Sequence, residues 1–194
     1  SASIYKIDKE YSSSRKPIYY KYDLALFKSL SNDDLEYFNS LFSHPKIDIT
    51  KEIKEYNEKF QNNIIIQSNI LFHAILHYQP EIVKQLLAFK ILNVNAKCQN
   101  KGNEETPLML AIDKRQMNVI KMLLDEEKID INETSIIDGN ELTPLYLALL
   151  MNYNEVIEIL FKRNDLDINA KSKILRIIQR ESYSVKEVST ETVL

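Results

Sequence analysis

The sequence predicts an all-α solenoid of about four stacked helix–turn–helix units with protruding hairpin-like loops, and three observations predict it. Thr106-Pro107-Leu108 recurs as Thr143-Pro144-Leu145, 37 residues later. Behind each tripeptide the apolar residues follow helical spacing, in the same register in both copies. The chain's only two glycines, Gly102 and Gly139, stand just before these Thr-Pro pairs, where a tight turn demands positive φ. A fixed period of 20 to 50 residues marks an array in which no unit buries its apolar face alone.

In chain order, residues 1–22 form a leader in which Tyr5, Tyr11, Tyr19, Tyr20 and Tyr22 alternate with Lys6, Lys9, Arg15, Lys16 and Lys21. Interleaved aromatic and basic side chains can contact nucleic acid; packing of the tyrosines on the first unit is the preferred reading. Repeats occupy 23–170. The first copy, 24–50, carries Leu26, Leu30, Phe38, Leu41 and Ile47-Asp48-Ile49 at the equivalent places, with Asp33-Asp34 where its second helix should begin. Residues 51–68 are an insertion, and Ile53, Tyr56 and Phe60 at helical spacing suggest a short additional helix.

The second copy, 69–95, has Asn69-Ile70 in place of Thr-Pro. In the third (106–132) and fourth (143–169), Thr caps a helix that starts at the following Pro, whose missing N–H is no loss at the first helical position. A polar break at 113–116 or 151–154 turns the chain, a second helix follows, and "IDIN" leads on as an extended stretch. Residues 171–194 leave the pattern. Ile174, Ile177 and Ile178 predict a capping helix, followed by a flexible tail.

"TPLMLA…VIKMLL…IDIN", "TPLYLA…VIEILF…LDINA" and "NILFHA…IVKQLL…NVNA" together resemble the ankyrin repeat over about residues 24–170. The period is longer than the ~33 residues usual for that architecture. Tyr78, Arg115 and Asn152 stand where the family has a glycine between helices, and the glycine closing the second helix is also missing. Longer connectors and a less regular stack are expected.

Composition excludes several classes. A net charge of −3 leaves no footprint for nucleic acid, and no apolar run approaches the length of a membrane span. The single cysteine, Cys98, excludes an internal disulfide and suits a reducing compartment, so a cytoplasmic monomer is expected. His73 and His77 lie one helical turn apart, a spacing that binds metal, yet no third ligand is near and the Glu of hydrolytic zinc helices is missing. A packed histidine beside a surface one is the simpler reading. Asn132-Glu133-Thr134 matches a glycosylation sequon, but Asn132 is the residue that ends each repeat's extended stretch. Neither a cofactor nor a catalytic set is indicated, and the expectation is a non-enzyme.

What remains is binding. The resemblance implies a protein partner held on the concave face and hairpin tips, with the repeats serving as a scaffold. Carried over by position, the helix-one ends are Leu76 and His77, Asp113 and Lys114, Leu150 and Met151, with Ser31 and Asn32 in the first unit. The tips are Asn103 and Glu105, then Asn140 and Leu142. Leu142, Leu150 and Met151 form an apolar cluster that is either a partner patch or a surface covered by the C-terminal segment. The last residues, Thr192, Val193 and Leu194 after Glu191, resemble a ligand of a PDZ domain, which would add them as a strand to its sheet edge. The alternative is that these repeats belong to a larger effector or enzyme whose chemistry lies elsewhere.

Overall fold

The computed structural model describes residues 25–56, 64–170, 173–174 and 188–189, apart from 31, 33, 46 and 51. The leader 1–22, Ile177 and Ile178 of the expected capping helix, and the tail Thr192-Val193-Leu194 lie outside the described residues.

Each unit is a pair of antiparallel helices. They are α1 (25–30) and α2 (Leu35–Phe42), α3 (Ile70–Leu76) and α4 (Pro80–Ala88), α5 (Pro107–Asp113) and α6 (Met117–Leu124), and α7 (Pro144–Leu150) and α8 (Asn154–Phe161). The starts follow the capping chemistry. The backbone N–H of Met109 donates to Thr106 Oγ1 at 3.3 Å and that of Tyr146 to Thr143 Oγ1 at 3.2 Å. Asn69 does the same work in the second unit, accepting from Phe72 N–H at 2.8 Å, and Asp34 caps α2 by accepting from Tyr37 N–H at 2.9 Å.

First helices stack on first helices, α3 on α5 on α7, and α4 lies against α6. The first unit joins through rings: Phe27 lies 5.1 Å from His73, and Phe42 meets Phe89 edge-on at 5.2 Å. The core is therefore one continuous apolar seam running through the stack, from Leu26 and Phe38 at one end to Val156 and Leu160 at the other.

The connectors depart from an all-α description. Strands β1 (Glu52–Tyr56), β2 (Ile64–Asn69), β3 (Cys98–Asn100), β4 (Asn103–Glu105), β5 (Ser135–Ile137), β6 (Asn140–Leu142), β7 (Lys173–Ile174) and β8 (Val188–Ser189) form one antiparallel sheet, each strand beside the next in sequence. The solenoid thus carries a sheet of β-hairpins along its side. Lys101-Gly102 and Asp138-Gly139 make the turns of the β3–β4 and β5–β6 hairpins, all four at positive φ, as a two-residue hairpin turn requires.

Two elements differ from expectation for this reason. Residues 52–56, expected to be helical, are β1. Ile64-Ile65-Ile66 opposite them is strongly strand-forming, and β2 pairs onward with β3 at Ile66↔Asn100, so sheet continuity overrides a weak helical period. Ile174, placed in a capping helix by its spacing, lies instead in β7, whose Lys173 pairs with Glu141 of the preceding tip.

Candidate partner-binding surface

The expected contact positions fall at equivalent places in successive units. His77, Lys114 and Met151 are the C-cap residues of α3, α5 and α7. Each is followed by a residue in the left-handed region: Tyr78 at φ 53°, Arg115 at 54° and Asn152 at 50°. These are the three positions lacking the family's glycine, so the backbone keeps its turn and the Cβ bears the strain.

Side chains lock these ends to one another. Gln116 Nε2, buried, donates to Ile75 C=O at 2.8 Å, tying the third unit to the second. Arg115 Nη2 donates to Met151 C=O at 2.6 Å, and the guanidinium lies 4.9 Å from the Tyr153 ring centroid. Lys114 and Asp113 pair with each other at 2.7 Å. The helix-one ends are a row held in fixed spacing across three units.

The tips are coupled in the same way. Asn103 Oδ1 accepts the backbone N–H of Asp138 at 3.0 Å, so one hairpin turn braces the next. The sheet face beside them is acidic. Lys97 Nζ sits 2.7 Å from Glu133 and 3.9 Å from Glu104, and its pKa is raised, chiefly by the Glu133 contact. Thr134 Oγ1 donates to Glu141 at 3.1 Å, and Gln99 Nε2 to Glu104 at 3.1 Å.

Two tip residues require correction. Glu105 and Leu142 were expected at exposed positions, yet they are 2% and 3% exposed. Each ends its strand, opposite buried Cys98 and Ser135 respectively, and faces the helices. Side chains alternate along a strand, so a one-residue slip swaps the solvent face for the core face. Glu104 and Glu141, one residue earlier, point outward in their place. Reading the tips as strands, with Cys98 as an inward marker, would have found them.

The Leu142, Leu150 and Met151 cluster resolves accordingly. Leu142 is core, Met151 packs partly against the core, and Leu150 is 55% exposed. Burial, and secondarily Asp113, raises the Glu105 carboxyl above its usual range, against the Asn103 and Asn100 contacts that lower it. Asn103 and Asn140 are partly exposed at the tips, as is Leu76 at the end of α3.

His73 is buried, its ring centroid 4.5 Å from that of His77. Burial, then the His77 charge, lowers its pKa to about 3, against a hydrogen bond to the Phe27 backbone carbonyl that raises it. It is a neutral packed imidazole. Among the described residues no group of three or more His, Cys, Asp or Glu is placed to hold a metal ion, and no helix is long and apolar enough to cross a membrane. Between the connectors of the second and third units lies a groove of about 390 Å³ lined by Leu86, Leu92, Val94, Asp125 and Glu126, among others.

A family model described as ankyrin repeats (3 copies) matches residues 26–135 and 71–172. No curated protein matches the chain.

Proposed function

This chain belongs to the ankyrin-repeat family, and from that premise we propose that it is a non-catalytic scaffold holding a protein partner on the row of helix-one ends and hairpin tips. Ankyrin repeats are in general protein–protein interaction modules. The observation that carries the reading is the repetition of contact positions at fixed spacing, His77, Lys114 and Met151 with Asn103 and Asn140, on elements cross-braced between units. A pre-formed surface loses little entropy when a partner docks. Its chemistry is mixed: acidic tips (Glu104, Glu141), a charged pair in the middle (Asp113, Lys114) and exposed Leu150 at the far end. This favours a partner segment that is basic where it crosses the tips and apolar where it meets the fourth unit.

The test uses the intact chain as bait in cell extract. Leu150→Asp should abolish capture of a protein that the wild type retains, with the melting temperature unchanged because the side chain is outside the core. Retained capture by both Leu150→Asp and Lys114→Glu would overturn the assignment of this row.

A further inference from the structure

Among the described residues the fourth unit is the last of the helical stack, and it exposes a face that interior units keep covered. Comparison in register shows which positions the following unit covers. Leu147, Ala148, Val156 and Leu160 stay buried, as do Leu110, Ala111, Val119 and Leu123 one unit earlier. Their neighbours do not. Leu124 is 6% exposed but Phe161 is 58%, and Ile131 is 1% but Ile168 is 45%. Ile112 and Ile120 are fully buried, whereas Leu149 is exposed and Ile157 only partly buried. Leu149, Ile157, Phe161 and Ile168 therefore form an apolar stripe where a fifth helical pair would lie. An array normally ends in a polar outer face. Among the described residues no helix covers this one, and β7 and β8 prolong only the sheet at the tips.

We propose that a second copy of this chain covers the stripe, with two fourth units packed face to face about a two-fold axis and their α8 helices antiparallel. The contact continues the packing that already joins the units, and a two-fold axis brings each stripe against an identical one. The flanking charges favour this arrangement. Glu158, on α8, and Lys162, its C-cap, lie one turn apart beside the stripe, and neither forms an ion pair among the described residues. An antiparallel crossing centred near Ile159 and Leu160 sets Ile157 of each copy against Phe161 of the other. The same crossing sets Glu158 against Lys162, so both ion pairs form together.

Sedimentation or light scattering across the micromolar range should give twice the 22.7 kDa of one chain. Phe161→Asp should leave a single-chain mass with the helical circular dichroism retained. Glu158→Lys should weaken association roughly tenfold by setting like charges together twice, and Glu158→Lys with Lys162→Glu should restore it. Should Phe161→Asp fail to fold, the charge reversals decide alone. A single-chain mass for the wild type at every concentration, or a double reversal that fails to recover the dimer, overturns the proposal.

Discussion

Asn132 grips Asp167 of the next unit: its Oδ1 accepts the Asp167 backbone N–H at 2.8 Å, while its Nδ2 donates to Asp165 C=O at 2.7 Å. Asn95 repeats this one unit earlier, accepting from Asp130 N–H at 2.9 Å and donating to Lys128 C=O at 2.7 Å. Each amide thus uses both its donor and its acceptor on a connector some 35 residues on, which fixes the register of the stack. Thr50 stands at the corresponding place in the first unit and bonds to Asp48 of its own turn instead, so the ladder starts only at the second unit.

Asn132→Ala should therefore destabilise the protein by about 1 kcal/mol, the net worth of a hydrogen-bond pair at a partly exposed site. Hydrogen exchange should quicken in the fourth unit's helices while amides of α3 and α4 keep their protection. Asn132→Asp, which keeps the acceptor and loses the donor, should fall between. Equal loosening of all four units would show that the amide is not a nearest-neighbour link.

Tyr78→Gly should stabilise. Tyr78 is exposed and sits at φ 53°, a conformation that costs an L side chain roughly 1–2 kcal/mol. Glycine removes that strain, and the melting temperature should rise by about 2–4 °C. Tyr78→Ala, which keeps the Cβ, should give no comparable gain in the same thermal scan.

The helical layer was legible because its signals are local. Thr106 and Thr143 cap as read, their prolines open α5 and α7, and both glycines lie in hairpin turns at positive φ. The missing glycines at Tyr78, Arg115 and Asn152 were visible too, although only coordinates show the backbone keeping its left-handed turn without them. What was illegible depends on pairing between distant segments. β1 acquires its strand character from β2, and β2 from β3 across the second unit, so residues 52–56 alone show only an ambiguous period. The helix-one ends were placed correctly from sequence, whereas the inward and outward faces of the tips were misread, because three-residue strands are too short to reveal alternation. Glu105 and Leu142 were the result.

Glu105→Gln should raise stability at neutral pH. The folded carboxyl has its pKa raised, first by burial and then by Asp113, so the unfolded chain releases its proton first as pH rises. The stability contribution is fully present below the unfolded pKa, about 4.3, and is lost as pH climbs through the raised folded value. Glutamine keeps an acceptor for Asn100 and carries no charge. Denaturant titrations of both proteins should converge in acid and separate towards pH 7, and parallel curves would contradict the burial argument.

His73 acts with the opposite sign. Its folded pKa of about 3 lies below the ordinary histidine value of 6.5, so the unfolded state binds the extra proton between these values. Stability should fall as pH drops through that window, with a slope of at most about 1.4 kcal/mol per pH unit. His73→Leu should flatten this slope whatever its absolute stability. An unchanged acid profile in that variant would assign the effect to carboxylates.

Placement of the partner is tested most directly by a photo-crosslinking residue installed singly at Lys114, Leu150 or Lys84 and irradiated in cells. Lys114 and Leu150 lie on the row of helix-one ends, and Lys84 is exposed on the second helix α4. The same protein should be trapped from Lys114 and Leu150 and not from Lys84. A partner trapped from Lys84 alone, or different proteins trapped at random from all three, would contradict a single binding face.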